Sequence, residues 1–137
     1  MREFSNLMGS LTAILFTIAF LNRPIKVINR RYGKQIAKTS FKASFQTLMR
    51  FLVKNHKLFG ALAGASALIH GLMKFSLNGF VASGFLTLSL IMLQGVLGGY
   101  GFRKMKGKAG VWLKIHRLIP YLVFLSIFNH VVVKLFW

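Results

Sequence analysis

The stretch NHKLFGALAGASALIHGLMKF, residues 55–75, is apolar away from its ends and carries His56 near its start and His70 fourteen positions later. At 1.5 Å rise per residue, a helix through this stretch sets the two imidazoles about 21 Å apart along its axis, about two-thirds of a hydrocarbon core. Fourteen residues also fall within about 40° of four complete turns, so both rings leave one face. The last apolar stretch, KIHRLIPYLVFLSIFNHVVVKLFW over residues 114–137, repeats the arrangement with His116 and His130, again fourteen apart. Two helices that each carry a histidine at two matching depths can hold two metal centres stacked across a membrane.

The remainder of the chain fits a membrane setting. Of its 137 residues 55% are hydrophobic, and the mean hydropathy of +0.59 exceeds that of an ordinary soluble domain of this size. Nineteen Lys and Arg oppose one acid, Glu3, for a net charge of +18. In a soluble protein such an excess points to nucleic acid. Here the cations cluster between apolar spans, which points instead to lipid headgroups, cofactor carboxylates or an acidic partner, and to no nucleic acid. The chain has no cysteine. Disulfides, cysteine-ligated iron-sulfur clusters and thioether-linked haem are therefore excluded. The opening MREFSNLMGSLTAILFTIAF is followed by LNRPIK, without a small-residue cleavage site, and is read as a retained transmembrane helix.

Taken in order, the first span covers about residues 4–21 and is expected to stop near Pro24, which disfavours helical geometry at Arg23. Gly9, Ser10, Thr12 and Thr17 suit packing on other helices. A basic connection, residues 23–57, contains FKASFQTLMRFLV, with Phe41, Phe45, Leu48, Met49 and Leu52 at helical spacing; this predicts an interfacial amphipathic helix. The second span, 58–75, meets the third, 80–100, through a short hairpin at SLNG, residues 76–79. A second basic connection, 102–110, leads to the fourth span, 111–137. Ten cations lie in residues 23–57 and six in 102–117, leaving Arg2, Lys74 and Lys134 for the other side. The positive-inside rule then places both connections in the cytoplasm and both termini outside. The expectation is a single all-α domain, an integral membrane four-helix bundle, with His56 and His116 at an inner level and His70 and His130 at an outer one.

Other side chains carry two readings each. Gly60 and Gly64 form a G-x-x-x-G pair, which suits close helix packing or room for a flat cofactor against the backbone. Gly84 and Gly98 are fourteen apart and would offer a gap at each histidine level, although glycine is common in membrane helices for packing alone. Gln94 suits an interhelical hydrogen bond more readily than a quinone contact, and Asn55 and Asn129, each preceding a histidine, suit ordinary hydrogen bonding. Lys54, Lys57, Lys114 and Arg117 near the inner level, and Lys74 and Lys134 near the outer, can meet cofactor propionates but serve equally as snorkelling or orientation-setting residues. Pro120 lies between His116 and His130 and can kink that helix.

Ionisable residues inside membrane spans are functional by default. Zinc or di-iron sites draw several ligands to one point, commonly with cysteine or carboxylates, and proton relays often use an embedded acid; the spans have neither. Haem iron, by contrast, takes two strong axial ligands that facing helices can supply. The sequence thus predicts two non-covalent b haems, held by His56, His70, His116 and His130.

On these four residues, over about residues 50–137, the chain resembles the di-haem cytochromes b, in two branches: the ferric reductase-like transmembrane domain, and the four-helix half of the cytochrome b of bc complexes. Even fourteen-residue spacing suits the second, and the orientation suits the first. The resemblance implies His56 with His116 on an inner haem and His70 with His130 on an outer one. It departs from the ferric reductase-like enzymes in having four spans rather than the usual six and no Gly-rich dinucleotide motif. Electrons would then come from a cytoplasmic flavoprotein or ferredoxin-like carrier, or from quinone. The expected role is an electron-transfer subunit of a larger redox complex in a bacterial or archaeal cell membrane, rather than a complete enzyme. A non-catalytic membrane anchor or assembly subunit, its basic loops binding a partner or anionic lipid, is the alternative.

Overall fold

Runs of Leu, Ile, Phe and Ala unbroken by interior charges favour helices that satisfy their own backbone hydrogen bonds, the requirement for crossing lipid. The computed structural model describes residues 1–106 and 108–136, with side chains to residue 133; the Lys134 side chain and Trp137 lie outside that description. Five helices follow in order: α1 Arg2–Phe20, α2 Asn22–Ile36, α3 Lys42–Asn78, α4 Ala82–Arg103 and α5 Val111–Phe136. Four apolar segments, Arg2–Ile36, Lys42–Asn78, Ala82–Arg103 and Val111–Val133, are long enough to cross a membrane, and no more than 22% of any of their apolar windows is buried inside the protein. Outward-facing Leu, Phe and Val of this extent would aggregate in water and are at home in lipid.

The first basic connection is more ordered than its composition suggests. Leu21 alone separates α1 from α2, and the helical bonding runs through it, from Leu21 N–H to Thr17 O and from Ile25 N–H to Leu21 O, both 3.1 Å. Pro24 falls in the first turn of α2, where proline costs little, so the expected stop at LNRP is a joint between two helices. Nor is the stretch around residues 41–52 a separate interfacial helix. It forms the first turns of α3, which has 37 residues and is about 55 Å long. Phe45, Leu52 and Met49 pack against Ile25, Ile18 and Ile36, whereas Phe41 and Leu48 stay 58% and 49% exposed. The buried stripe is narrower than the sequence periodicity because α2 covers one side only. Gly79, at φ 71°, ends α3 by donating its N–H to Phe75 O.

Contacts between distant residues fix the directions. His70 meets Ser5 and His56 meets Ala19, so α3 runs antiparallel to α1; His130 meets Ser83 and His116 meets Gln94, so α5 runs antiparallel to α4. The pairs α1/α3 and α4/α5 pack most closely, with α3 also against α4, while α3 and α5 stand apart at the backbone. The main core, Phe16, Ala63, Ala67, Ile91, Ile119 and Val123, lies midway along the bundle and separates its two ends.

Candidate functional site

The two helices that stand apart carry the four histidines, and their rings bridge the gap. His56 faces His116 and His70 faces His130, each pair with ring centres 6.4 Å apart and planes 82° from parallel. An imidazole nitrogen binds a first-row metal at about 2.0–2.1 Å, so two rings opposed across one ion have centres about 6.3 Å apart. Both pairs have that spacing. The two levels are fourteen residues, about 21 Å, apart along α3. All four rings are half-buried.

The backbone of α1 sets the protonation of the α3 rings. His70 Nδ1 lies 2.7 Å from Ser5 O, and His56 Nδ1 lies 2.9 Å from Ala19 O. A carbonyl only accepts, so each Nδ1 donates and each Nε2 keeps a lone pair. A ligating histidine is oriented in this way. On α5, His130 Nδ1 shares a 3.0 Å hydrogen bond with Ser83 Oγ, and the His116 ring has the Gln94 backbone of α4 as its hydrogen-bonding neighbour, as His56 has Ala19 of α1.

Glycines admit the rings. A Cβ at Gly9 would lie 2.8 Å from His70 Cε1, one at Gly84 3.1 Å from His130 Cε1, and one at Gly98 3.3 Å from His116 Cε1. The expected gaps at Gly84 and Gly98 are therefore present, and Gly9 supplies a third that the sequence offered only as a packing residue. Gly60 and Gly64 behave otherwise, since a Cβ at either would meet nothing within 4 Å. Close helix packing is not their role within this chain.

No family model, curated protein or solved structure matches the chain. The chain does, however, match itself. His56, Leu58, Leu62, Ser66, His70 and Lys74 align with His116, Leu118, Leu122, Ser126, His130 and Lys134 at an offset of 60, and Lys57 with Arg117. Gly9, Leu11, Thr12 and Leu15 align with Gly84, Leu86, Thr87 and Leu90 at an offset of 75. The contacts obey the same offsets. Thr12 Oγ1 donates to Ser66 Oγ at 2.9 Å, and Thr87 Oγ1 is 2.7 Å from Ser126 Oγ. Buried Ala63 and Phe16 correspond to buried Val123 and Ile91. Since α1 and α4 run one way and α3 and α5 the other, the two helix pairs are related by a pseudo-two-fold axis along the bundle. The hydroxyl pairs were missed in the sequence, although H-[K/R]-L-x3-L-x3-S-x3-H-x3-K, read twice, marks two of their four members.

The remaining polar residues settle into lesser parts. Gln94 Nε2 donates to His116 O at 3.1 Å and lies 3.5 Å from His116 Nε2, while its Oε1 is buried without a partner. Asn55 donates to Phe51 O within its own helix. Lys57 sits 3.4 Å over the Phe102 ring, Arg23 donates to Arg117 O, and Lys74 donates to Asn6 Oδ1 at 2.8 Å. Trp112 fills the space beside Gly101 and lies 6.1 Å from the His116 ring. Among the described residues no third His, Cys, Asp or Glu joins either pair. Two imidazoles alone leave a metal ion under-coordinated, so the donor set fits an ion whose other positions come from a planar macrocycle.

Proposed function

We propose that this protein is a membrane electron conduit holding two b-type haems. His56 and His116 would ligate one, His70 and His130 the other. The carrying observation is that two pairs of imidazoles, at two levels, share one separation and one ring angle across the gap between α3 and α5. The glycines against three of the rings and the carbonyls that hold Nε2 unprotonated on α3 support the same reading. Bound haem supplies the one-electron redox change. The protein's part is to fix ligation, spacing and polarity: Ser5 and Ala19 orient the α3 rings, Ser83 orients His130, and the central core with Phe16 and Phe124 excludes water between the levels.

The cation distribution assigns the end bearing His56 and His116 to the cytoplasm, with both termini outside; that centre is the inner one and the His70/His130 centre the outer. Lys26, Arg30, Arg31 and Lys34 on α2, with Lys38 after it and Lys42, Arg50 and Lys54 on α3, then form a basic hairpin at the cytoplasmic face. Such a surface attracts an acidic electron carrier, flavoprotein or ferredoxin-like, as the donor or acceptor that this chain does not itself contain. The visible spectrum of purified protein tests the reading: reduced low-spin bands at two haems per chain are expected, and a colourless protein that takes up no haem when reconstituted would overturn it.

A further inference from the structure

The internal repeat is broken at one wall of the bundle. Leu88 of α4 lies against Gly71 of α3, and fourteen residues away along each of these antiparallel helices Lys57 sits 3.4 Å over the Phe102 ring. Between those two contacts, on the same helical faces and at the same register, Gly64 comes opposite Gly95 and Gly60 opposite Gly99. Facing glycines ordinarily draw membrane helices together. Here a Cβ at any of the four would meet nothing within 4 Å, so α3 and α4 are held apart along this stretch. Gly60, Gly95 and Gly99 are exposed, which makes the space an open slot rather than an enclosed void.

The opposite wall, between α1 and α5, shows what the repeat places at these positions. Under the offsets of 60 and 75, Gly64 and Gly95 correspond to Phe124 and Phe20, whose ring centres are 4.8 Å apart, and Gly60 and Gly99 correspond to Pro120 and Pro24. Phe16 packs edge-on against Phe124, and Tyr121 against Phe20. One wall is thus sealed by its own side chains, while the other lacks the volume of two phenyl and two pyrrolidine rings. Apolar space of this kind stays dry, and its lining loses dispersion contacts until an apolar group of matching width fills it.

The mouth of the slot is basic. The α3 face that carries Gly60 and Gly64 continues through Lys57 and Val53 to Arg50, and Arg50 and Val53 line a shallow apolar hollow with Met49 and Lys54. Arg103 follows Phe102 at the same end of α4, and all four of these cations are exposed. The one acidic side chain of the sequence, Glu3, lies at the other end of the bundle beside Ser5 and the His70 level, so it answers none of them. From Lys57 the stretch to Gly71 covers about 21 Å, past the middle of a hydrocarbon core about 30 Å thick. We propose that this wall is a phospholipid site: one anionic phospholipid per chain lays an acyl chain in the slot between Gly60 and Gly64 of α3 and Gly95 and Gly99 of α4, with its phosphate at Arg50, Lys54, Lys57 and Arg103. The acyl chain takes the place of the missing rings, and the phosphate that of the missing carboxylates. None of these residues is one of the four histidines, so the site stands independently of the haem reading.

Native mass spectrometry of the full-length protein, delipidated in detergent and titrated with phosphatidylglycerol or with phosphatidylcholine of the same acyl chains, tests this. One phosphatidylglycerol per chain is expected to be retained, with an affinity on the order of tenfold or more above that for phosphatidylcholine. Gly64→Phe with Gly95→Phe, which rebuilds the ring pair of the opposite wall, is expected to abolish retention of either lipid, and Gly60→Leu alone makes the same test if the double variant does not fold. Lys57→Gln with Arg103→Gln is expected to weaken phosphatidylglycerol by about tenfold and leave phosphatidylcholine unchanged. Equal affinity for the two lipids, or undiminished retention in the slot-filling variants, would overturn the proposal. So would lipid that is expelled when haem is loaded, since the slot would then belong to the edge of the cofactor. Protein that takes up no haem but retains phosphatidylglycerol in this pattern would overturn the electron-conduit reading and leave the lipid site standing.

Discussion

A histidine buried among helices has two nitrogens to place, and the placing of one decides the use of the other. Ser5 O and Ala19 O take the Nδ1 protons of His70 and His56, which leaves Nε2 as the donor facing α5. His70→Ala and His130→Ala are therefore expected to remove the outer haem and leave the inner, and His56→Ala and His116→Ala the reverse, as read by haem content per chain. The same dependence extends to the glycines. Gly9→Ala places a methyl 2.8 Å from His70 Cε1, between rigid helices, and should lower outer-haem affinity by about 10- to 100-fold, whereas Gly60→Ala, which meets nothing, should leave both haems in place. Because the planes in each pair are 82° apart, the oxidised protein should give strongly anisotropic low-spin electron paramagnetic resonance signals at both centres.

At the scale of helices, apolar side chains alone cannot drive association in lipid, since the tails are as apolar as leucine. Packing of small residues and interhelical hydrogen bonds take over. Thr12 with Ser66 joins α1 to α3, and Thr87 with Ser126 joins α4 to α5, both buried at mid-depth. Each pair should contribute about 0.6–1.7 kcal/mol, measurable as the coupling in a double-mutant cycle of Thr87→Val with Ser126→Ala in detergent unfolding. An indistinguishable sum of the single effects would show that the pair does not hold the helices. No comparable hydroxyl bridge joins α3 to α5 among the described hydrogen bonds, in keeping with a gap that the histidines, rather than packing, define.

For the molecule as a whole, the orientation proposed from the cation distribution can be measured, since the sequence has no cysteine to interfere. Single cysteines at Ser40 or Met105 are expected to be shielded from an impermeant thiol reagent in intact cells, and one at Asn78 to be labelled; the opposite pattern would invert the assignment of inner and outer centres. Helix α3, at about 55 Å, exceeds a hydrocarbon core of about 30 Å by nearly half its length. On the proposed function, that excess, with α2 packed on it, would carry the basic hairpin beyond the hydrocarbon core, and electron exchange with an acidic carrier there is expected to slow as salt rises past about 0.15 M. Arg30→Glu with Arg31→Glu should slow it further without changing either haem spectrum.

Much of this architecture was legible in the chain. Apolar length and cation clusters mark the spans, and the interval of fourteen, close to a whole number of turns, puts each helix's histidines on one face whatever they pack against. The repeat at offsets of 60 and 75 was equally present, though hidden by Gly60 opposite Pro120 and Gly64 opposite Phe124. Other features needed three dimensions. That α2 continues α1 past Pro24, that α3 and α5 stand apart, that Gly9 makes room for His70, and that Ser5 and Ala19 take the α3 rings all depend on how the helices pack. Helical periodicity is a local property carried by every segment alone, whereas the acceptor a ring finds depends on which neighbour the packing brings within 3 Å.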